Sequence, residues 1–265
     1  MSISTFIVDA FTSTLFKGNQ AAVCILHEDK TDAWMQQIAA EFNLSETAFL
    51  RRTNENHWSL RWFTPTCEMK LCGHATLASA HILANELGEP YKEFFFSTLS
   101  GILTATVNND TITLDFPKIK PEYLSGIYVH ESGIDKLNLN FKECYKSGED
   151  ILLVLESEKD VANYEPEIEK IAAFNARGLV ITAASDTKER DFVSRFFAPQ
   201  AGVNEDPVTG SAHCGLATYW SRQLHKTSLR AEQLSARTGL LDVICEESRV
   251  KLIGKSVTFL RGKIQ

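Results

Sequence analysis

Two short stretches of this 265-residue chain set reactive side chains directly ahead of apolar, helix-like runs. "CEMKLCGHATLASAHIL" begins at Cys67 and "EDPVTGSAH" at Glu205; the helical runs open at Gly73 and Gly210. A helix start carries about half a positive charge and roughly four N–H groups without intrahelical partners. Glycine there lets a ligand approach the backbone closely. Such a start suits an anion, and two of them facing one cleft would suit a substrate carboxylate. The expected binding groups are Gly73 and His74 at the first start, and Asp206, Gly210 and Ser211 at the second. The plainer alternative is that Thr209 and Ser211 only cap a buried helix, and that Asp206 only complements its dipole.

The two stretches belong to a repeat. Ile38-Ala39-Ala40-Glu41-Phe42-Asn43 recurs as Ile171-Ala172-Ala173-Phe174-Asn175, Arg61–Pro65 ("RWFTP") as Arg195–Pro199 ("RFFAP"), and Gly73-His74-Ala75 as Gly210-Ser211-Ala212. Order is kept, and the offset stays between 132 (Asn43 to Asn175) and 137 (Gly73 to Gly210). A fixed period of this kind signals repeated architecture. The halves differ where chemistry would occur: Glu46 has Gly178 as its counterpart, His74 has Ser211, and Met69 has Asp206. A pseudo-symmetric cleft with different acids and bases on its walls can take a proton at one position and return it at another, which is isomerase or epimerase logic.

The elements that must hold these residues are mostly short strands. Alternating, β-branched and aromatic segments are expected as strands over 3–9, 21–26, 47–52, 58–64, 93–98, 101–107 and 111–116, then over 151–156, 178–183, 191–197, 229–235, 240–246 and 257–262. Amphipathic helices are expected over 32–43 and 165–175. The runs from Gly73 and Gly210 are apolar nearly all round at first and are expected as buried helices. The fold class is therefore α+β, with two similar halves, each a curved, mostly antiparallel, barrel-like sheet around one central helix. The first half covers 1–115, with the last strand, 256–265, returning to it; the second covers 116–255, after a proline-rich seam.

Bulk composition narrows the partners. The chain is 44% hydrophobic and 23% charged with a net charge of −7 and no basic run, so nucleic acid and anionic membrane are not expected partners. No apolar run approaches the roughly 18 residues of a membrane span. The start, "MSISTFIVDAF", reads as a strand rather than an export signal. Six scattered cysteines without a zinc-type spacing then point to free thiols and a cytoplasmic setting. No metal ligand cluster and no cofactor motif is visible, so no cofactor is expected.

"NLSETAFL" around Glu46, "FTPTCEMKLCGHATLASA", "RFFAPQAGVNEDPVTGSAH" and the opening "FIVDAFTSTLFKGNQAAVCIL" together resemble the phenazine-biosynthesis PhzF-like family, which has the diaminopimelate-epimerase fold. The resemblance spans nearly the whole chain. It implies an active site between two halves, in which the residue matching Glu46 moves a proton on a dihydro-hydroxyanthranilate. The residues matching His74, Asp206, Gly210 and Ser211 bind substrate or assist. It also implies a homodimer. Cys72 matches one of the two thiols used by related racemases. Counting back from Thr209-Gly210 sets Pro207 at the second thiol position, so Cys72 is expected to pack the helix start rather than catalyse. The function expected is a cofactor-independent isomerase of a small carboxylic acid. The alternatives are a non-catalytic metabolite binder on the same fold and a Cys72-dependent racemase or hydrolase.

Overall fold

The computed structural model describes residues 2–265, an α+β chain. In chain order the elements are β1 (Ile3–Ala10), β2 (Asn19–Leu26), α1 (Asp32–Phe42), β3 (Glu46–Arg52), β4 (His57–Phe63), β5 (Glu68–Met69), α2 (Gly73–His81), β6 (Glu93–Thr98), β7 (Gly101–Asn108) and β8 (Thr111–Pro117). Then come β9 (Glu122–Tyr123), α3 (Gly126–Glu131), β10 (Glu143–Ser147), β11 (Asp150–Val154), α4 (Glu158–Asn163), α5 (Ile168–Ala172), β12 (Leu179–Ala184) and β13 (Phe192–Ala198). The chain finishes with β14 (Val203–Asp206), α6 (Gly210–Leu224), β15 (Ser228–Gln233), β16 (Gly239–Cys245), β17 (Arg249–Gly254) and β18 (Ser256–Ile264). Two compact units form. One holds the residues up to Phe116 together with Lys251–Gln265; the other is Pro117–Val250.

In the first unit the strands follow the order β18-β1-β2-β3-β4-β6-β7-β8, antiparallel except for β2–β3 and β4–β6. Parallel neighbours need a long crossover; α1 supplies the first and α2 the second. Every residue of α2 is buried. Its small side chains let β1, β2, β3, β7 and β18 close in on it, so the sheet curves round the helix without closing into a barrel. Buried hydroxyls inside this helix are satisfied locally: Thr76 Oγ1 donates to the Cys72 carbonyl at 2.5 Å and Ser79 Oγ to that of Ala75 at 2.7 Å. Beyond His81 the helix continues as one π-turn, Ile82–Glu86. The outer helix α1 is capped by Thr31, whose hydroxyl accepts from Trp34 N, and ends at Asn43 in the left-handed conformation. It buries Met35 and Ala39 against Phe49 and Phe63.

The second unit repeats the plan. Its order is β9-β10-β11-β12-β13-β15-β16, antiparallel except for β11–β12 and β13–β15. Helices α4 and α5 make the first crossover and α6 the second. The stretch read as one amphipathic helix over 165–175 is helical only over Ile168–Ala172. Pro166 lies at its mouth, and an additional helix, α4, forms upstream under a capping box between Ser157 and Asp160. Strands β10 and β17 fall outside the segments expected from the sequence. β17 alternates buried Val250, Leu252 and Gly254 with half-buried Arg249, Lys251 and Ile253. β10 mixes buried Cys144 and Ser147 with exposed Lys146, which blurs the apolar period.

The repeat seen in the sequence is also a repeat of strand register. Phe63 pairs with Thr47 and Trp62 with Ala48 in the first unit; Phe197 pairs with Leu179 and Phe196 with Val180 in the second. Arg61 grips Glu68 with Nε and Nη2 at 2.6 and 2.7 Å, and Arg195 grips Glu205 with the same atoms at 2.7 and 3.0 Å.

Candidate active site

In the first unit three chain segments converge on the start of α2. Gly18, at φ +67°, turns the chain so that β2 begins at Asn19; a Cβ at Gly18 would run into the Ala10 carbonyl. Glu46 opens β3 beside Ala21 of β2. Cys72 is the extended residue ahead of α2, with φ −140°, and Gly73 and His74 begin the helix.

The His74 imidazole is the hub. Its Nε2 lies 3.2 Å from Glu46 Oε2, its Nδ1 lies 3.1 Å from Asn19 Nδ2, and Cys72 Sγ stands 3.6 Å from Nδ1. Asn19, Cys72 and His74 are buried, and the Glu46 side chain keeps 14% exposure. Burial pushes the His74 pKa down to about 3, against a smaller upward pull from the Gln20 backbone, so the ring is neutral at neutral pH. The Asn19 side chain holds the Nδ1 face of the ring, and Nε2 faces Glu46. The contact with Glu46 is close but falls short of hydrogen-bond alignment: Nε2 has no hydrogen-bond partner among the described residues. Catalytic hydrogen bonds often align only once a ligand is bound.

Glu46, Cys72 and His74 also bring one metal-ligating atom each within 4.8 Å of one another, a cluster that the sequence spacing did not reveal because Glu46 is remote in the chain. Glu46 faces one ring nitrogen of His74, while Cys72 and the Asn19 amide face the other. The imidazole therefore stands between its neighbours, an arrangement suited to passing and holding protons.

In the second unit Asp206 ends β14, Thr209 is the extended residue ahead of α6, and Gly210 and Ser211 open the helix. Thr209 therefore occupies the place of Cys72, and the expectation that Pro207 does so is corrected by the backbone: both Cys72 and Thr209 directly precede the first helical glycine. Thr209 is not a cap. Its Oγ1 donates to Asp206 Oδ2 at 2.5 Å, and neither helix start receives a side-chain capping bond. Buried Gln233 pins the loop from β15, accepting from Thr209 N at 2.8 Å and donating to the Asp206 carbonyl at 2.6 Å.

Ser211 Oγ accepts from Arg177 Nη1 at 3.0 Å, while Arg177 holds Asp150 with Nε and Nη2 at 2.8 and 2.5 Å. Burial pushes the Asp150 carboxyl up, against the pull of Arg177. Arg177, Asp150, Gln233 and Asn19 were not singled out from the sequence. For Arg177 a signal existed: it precedes Gly178, the counterpart of Glu46. His81 bonds Thr258 Oγ1 at 2.9 Å and His213 bonds the Thr209 carbonyl at 2.8 Å, both packing roles. Among the described residues no helix is long and apolar enough to cross a membrane.

Comparison with known proteins follows the same lines. A family model described as "Phenazine biosynthesis-like protein" matches residues 8–262. An uncharacterized isomerase of Halalkalibacterium halodurans is 45% identical over 266 residues, covering 100% of this chain and 99% of that one. The crystal structure of a PhzF-family phenazine biosynthesis protein of Enterococcus faecalis superposes with a TM-score of 0.91 at 41% identity, over 100% of both chains. A hydroxyproline epimerase of Agrobacterium vitis, at 10% identity and a TM-score of 0.64 over 99% of this chain and 92% of that one, shares the fold.

Proposed function

We propose that this chain, which belongs to the phenazine biosynthesis-like (PhzF) family, is an isomerase that moves a proton on a small carboxylic acid by acid–base chemistry, without metal or organic cofactor. The observation that supports this most is the Glu46 carboxylate 3.2 Å from a neutral, buried His74. A protonated histidine would lock the carboxylate into an ion pair and weaken it as a base. A neutral one leaves it able to accept a proton from carbon, and Glu46, then a carboxylic acid, returns that proton at another position. General acid–base catalysis of this kind is worth about 10²–10⁴-fold.

Binding is assigned to the two helix starts. The binding groups are Gly73 and His74 at the first start, and at the second the Gly210 amide and the Ser211 hydroxyl for a carboxylate and Asp206 for an amino or hydroxyl group. A cytoplasmic setting and a homodimeric working form are part of the proposal, and light scattering after size exclusion is the measurement for the dimer.

Solvent-deuterium exchange separates an isomerase from a binder. A library of small cyclic and amino carboxylic acids is incubated with the protein in deuterium oxide and followed by proton NMR. Incorporation of deuterium at one carbon, dependent on the protein, is expected. A ligand that binds tightly yet gains no deuterium on prolonged incubation overturns the isomerase reading in favour of the binder.

A further inference from the structure

We infer that Arg177, held by Asp150, is a positioning residue that turns Ser211 into a dedicated donor for a substrate carboxylate; this rests on the functional reading above. The strand register makes Gly178 the counterpart of Glu46. That position is closed to a side chain: a Cβ on Gly178 would lie 2.6 Å from the Phe197 carbonyl oxygen and 2.7 Å from Phe196 Cζ. The second unit therefore places no acid or base where the first places Glu46. Its neighbour in sequence reaches the helix start instead, with the guanidinium carbon 5.3 Å from the centre of the Phe196 ring.

The donor arithmetic determines what that contact does. A guanidinium has only donors, so Ser211 Oγ is the acceptor of the 3.0 Å bond from Arg177 Nη1. The serine's one proton is then left to donate, and among the described residues it donates to none. A charged donor on the oxygen also polarises the O–H, which favours an anion as its acceptor. Asp150, 3% exposed, holds Nε and Nη2 together and so fixes the guanidinium plane and the direction of Nη1. The carboxylate of Asp150 also offsets the guanidinium charge. Selection for a carboxylate at this start thus runs through an oriented hydroxyl rather than through a bare cation.

The probe is 2-aminobenzoate, a cyclic amino acid by the chemistry proposed above, with 2-aminobenzamide as its neutral counterpart; titration calorimetry gives both affinities. The wild-type chain is expected to prefer the carboxylate. Ser211→Ala and Arg177→Lys should each weaken 2-aminobenzoate by about 10–100-fold while leaving 2-aminobenzamide within a few-fold, because lysine keeps the charge but loses the fork. In the double variant the losses should not add, since the arginine acts through the serine. A merely structural arginine would weaken both probes alike, and additive losses would show a direct contact; either overturns the inference. Melting curves identify a misfolded Arg177→Lys, and Ser211→Ala, which leaves the ion pair intact, then decides by its probe ratio alone. Binding of 2-aminobenzoate that is equal in all variants defeats this inference but spares the isomerase reading. A wild-type chain that prefers the amide defeats the carboxylate reading and this inference with it.

Discussion

The starts of α2 and α6 occupy the same place in two copies of one plan, and they carry opposite chemistry. At α2 a carboxylate, Glu46, approaches a neutral imidazole. At α6 a guanidinium, Arg177, approaches a serine hydroxyl, and Asp206 is tied to Thr209. The scaffold was kept and the side chains diverged, as expected when a fold supplies geometry and the site supplies function. On the proposed reading, proton movement belongs to Glu46 at the first start, and the second start offers binding groups only.

The largest effect that could break this division is at Glu46. Glu46→Gln keeps shape but removes the base, and deuterium exchange should fall by about 10²–10⁴-fold, with ligand affinity little changed. Asp206→Asn should do the reverse, weakening affinity with a milder loss of rate. If Glu46→Gln keeps more than about a tenth of the activity, the assignment of the base is wrong.

Next is Gly178. Alanine there meets backbone oxygen and an aromatic ring, so Gly178→Ala should cost about 1–3 kcal/mol and lower the melting temperature. An unchanged melting temperature would show that the asymmetry is not enforced by packing.

A smaller effect sharpens the comparison of the buried histidines, His74 at about 3 and His213 at about 4. Both folded values lie below the ordinary 6.5, so the unfolded chain binds protons that the native chain refuses. Stability is full above about 6.5 and is lost as pH falls toward those values. Urea midpoints between pH 7 and pH 4.5 should drop less steeply in His74→Gln and in His213→Gln than in the parent. Equal slopes in all three would show that neither ring is held neutral.

The smallest expected effect is none. Chelation with EDTA should leave deuterium exchange unchanged, although Glu46, Cys72 and His74 could together hold an ion. Activity lost on chelation and restored by one divalent ion would move the first start into metal chemistry.

Much of this architecture is written in local pattern. Helices apolar on every side announced α2 and α6 as central, because only a surrounding sheet can bury such a surface. The repeated "RWF" and "RFF" segments announced matched strands, and the polar residues ahead of each helical glycine marked both starts. Neither β17 nor β10 was among the expected strands; β17 alternates buried and half-buried residues, whereas in β10 buried Cys144 and Ser147 flank exposed Lys146 and blur the period. Within the site, residue types and chain order picked out Glu46, His74, Asp206, Gly210 and Ser211 as candidates. They did not disclose Asn19 orienting the imidazole, Gln233 pinning Asp206 and Thr209, or Arg177 and Asp150 behind Ser211. Those partners come from segments distant in sequence, and hydrogen-bond geometry exists only once strand register is set. Sequence by itself determined which chemical groups stand at the two helix starts, since periodicity and repeat are properties of the chain. Tertiary structure alone decided their charge state and direction, because burial holds His74 neutral and the Asp150 grip aims Arg177.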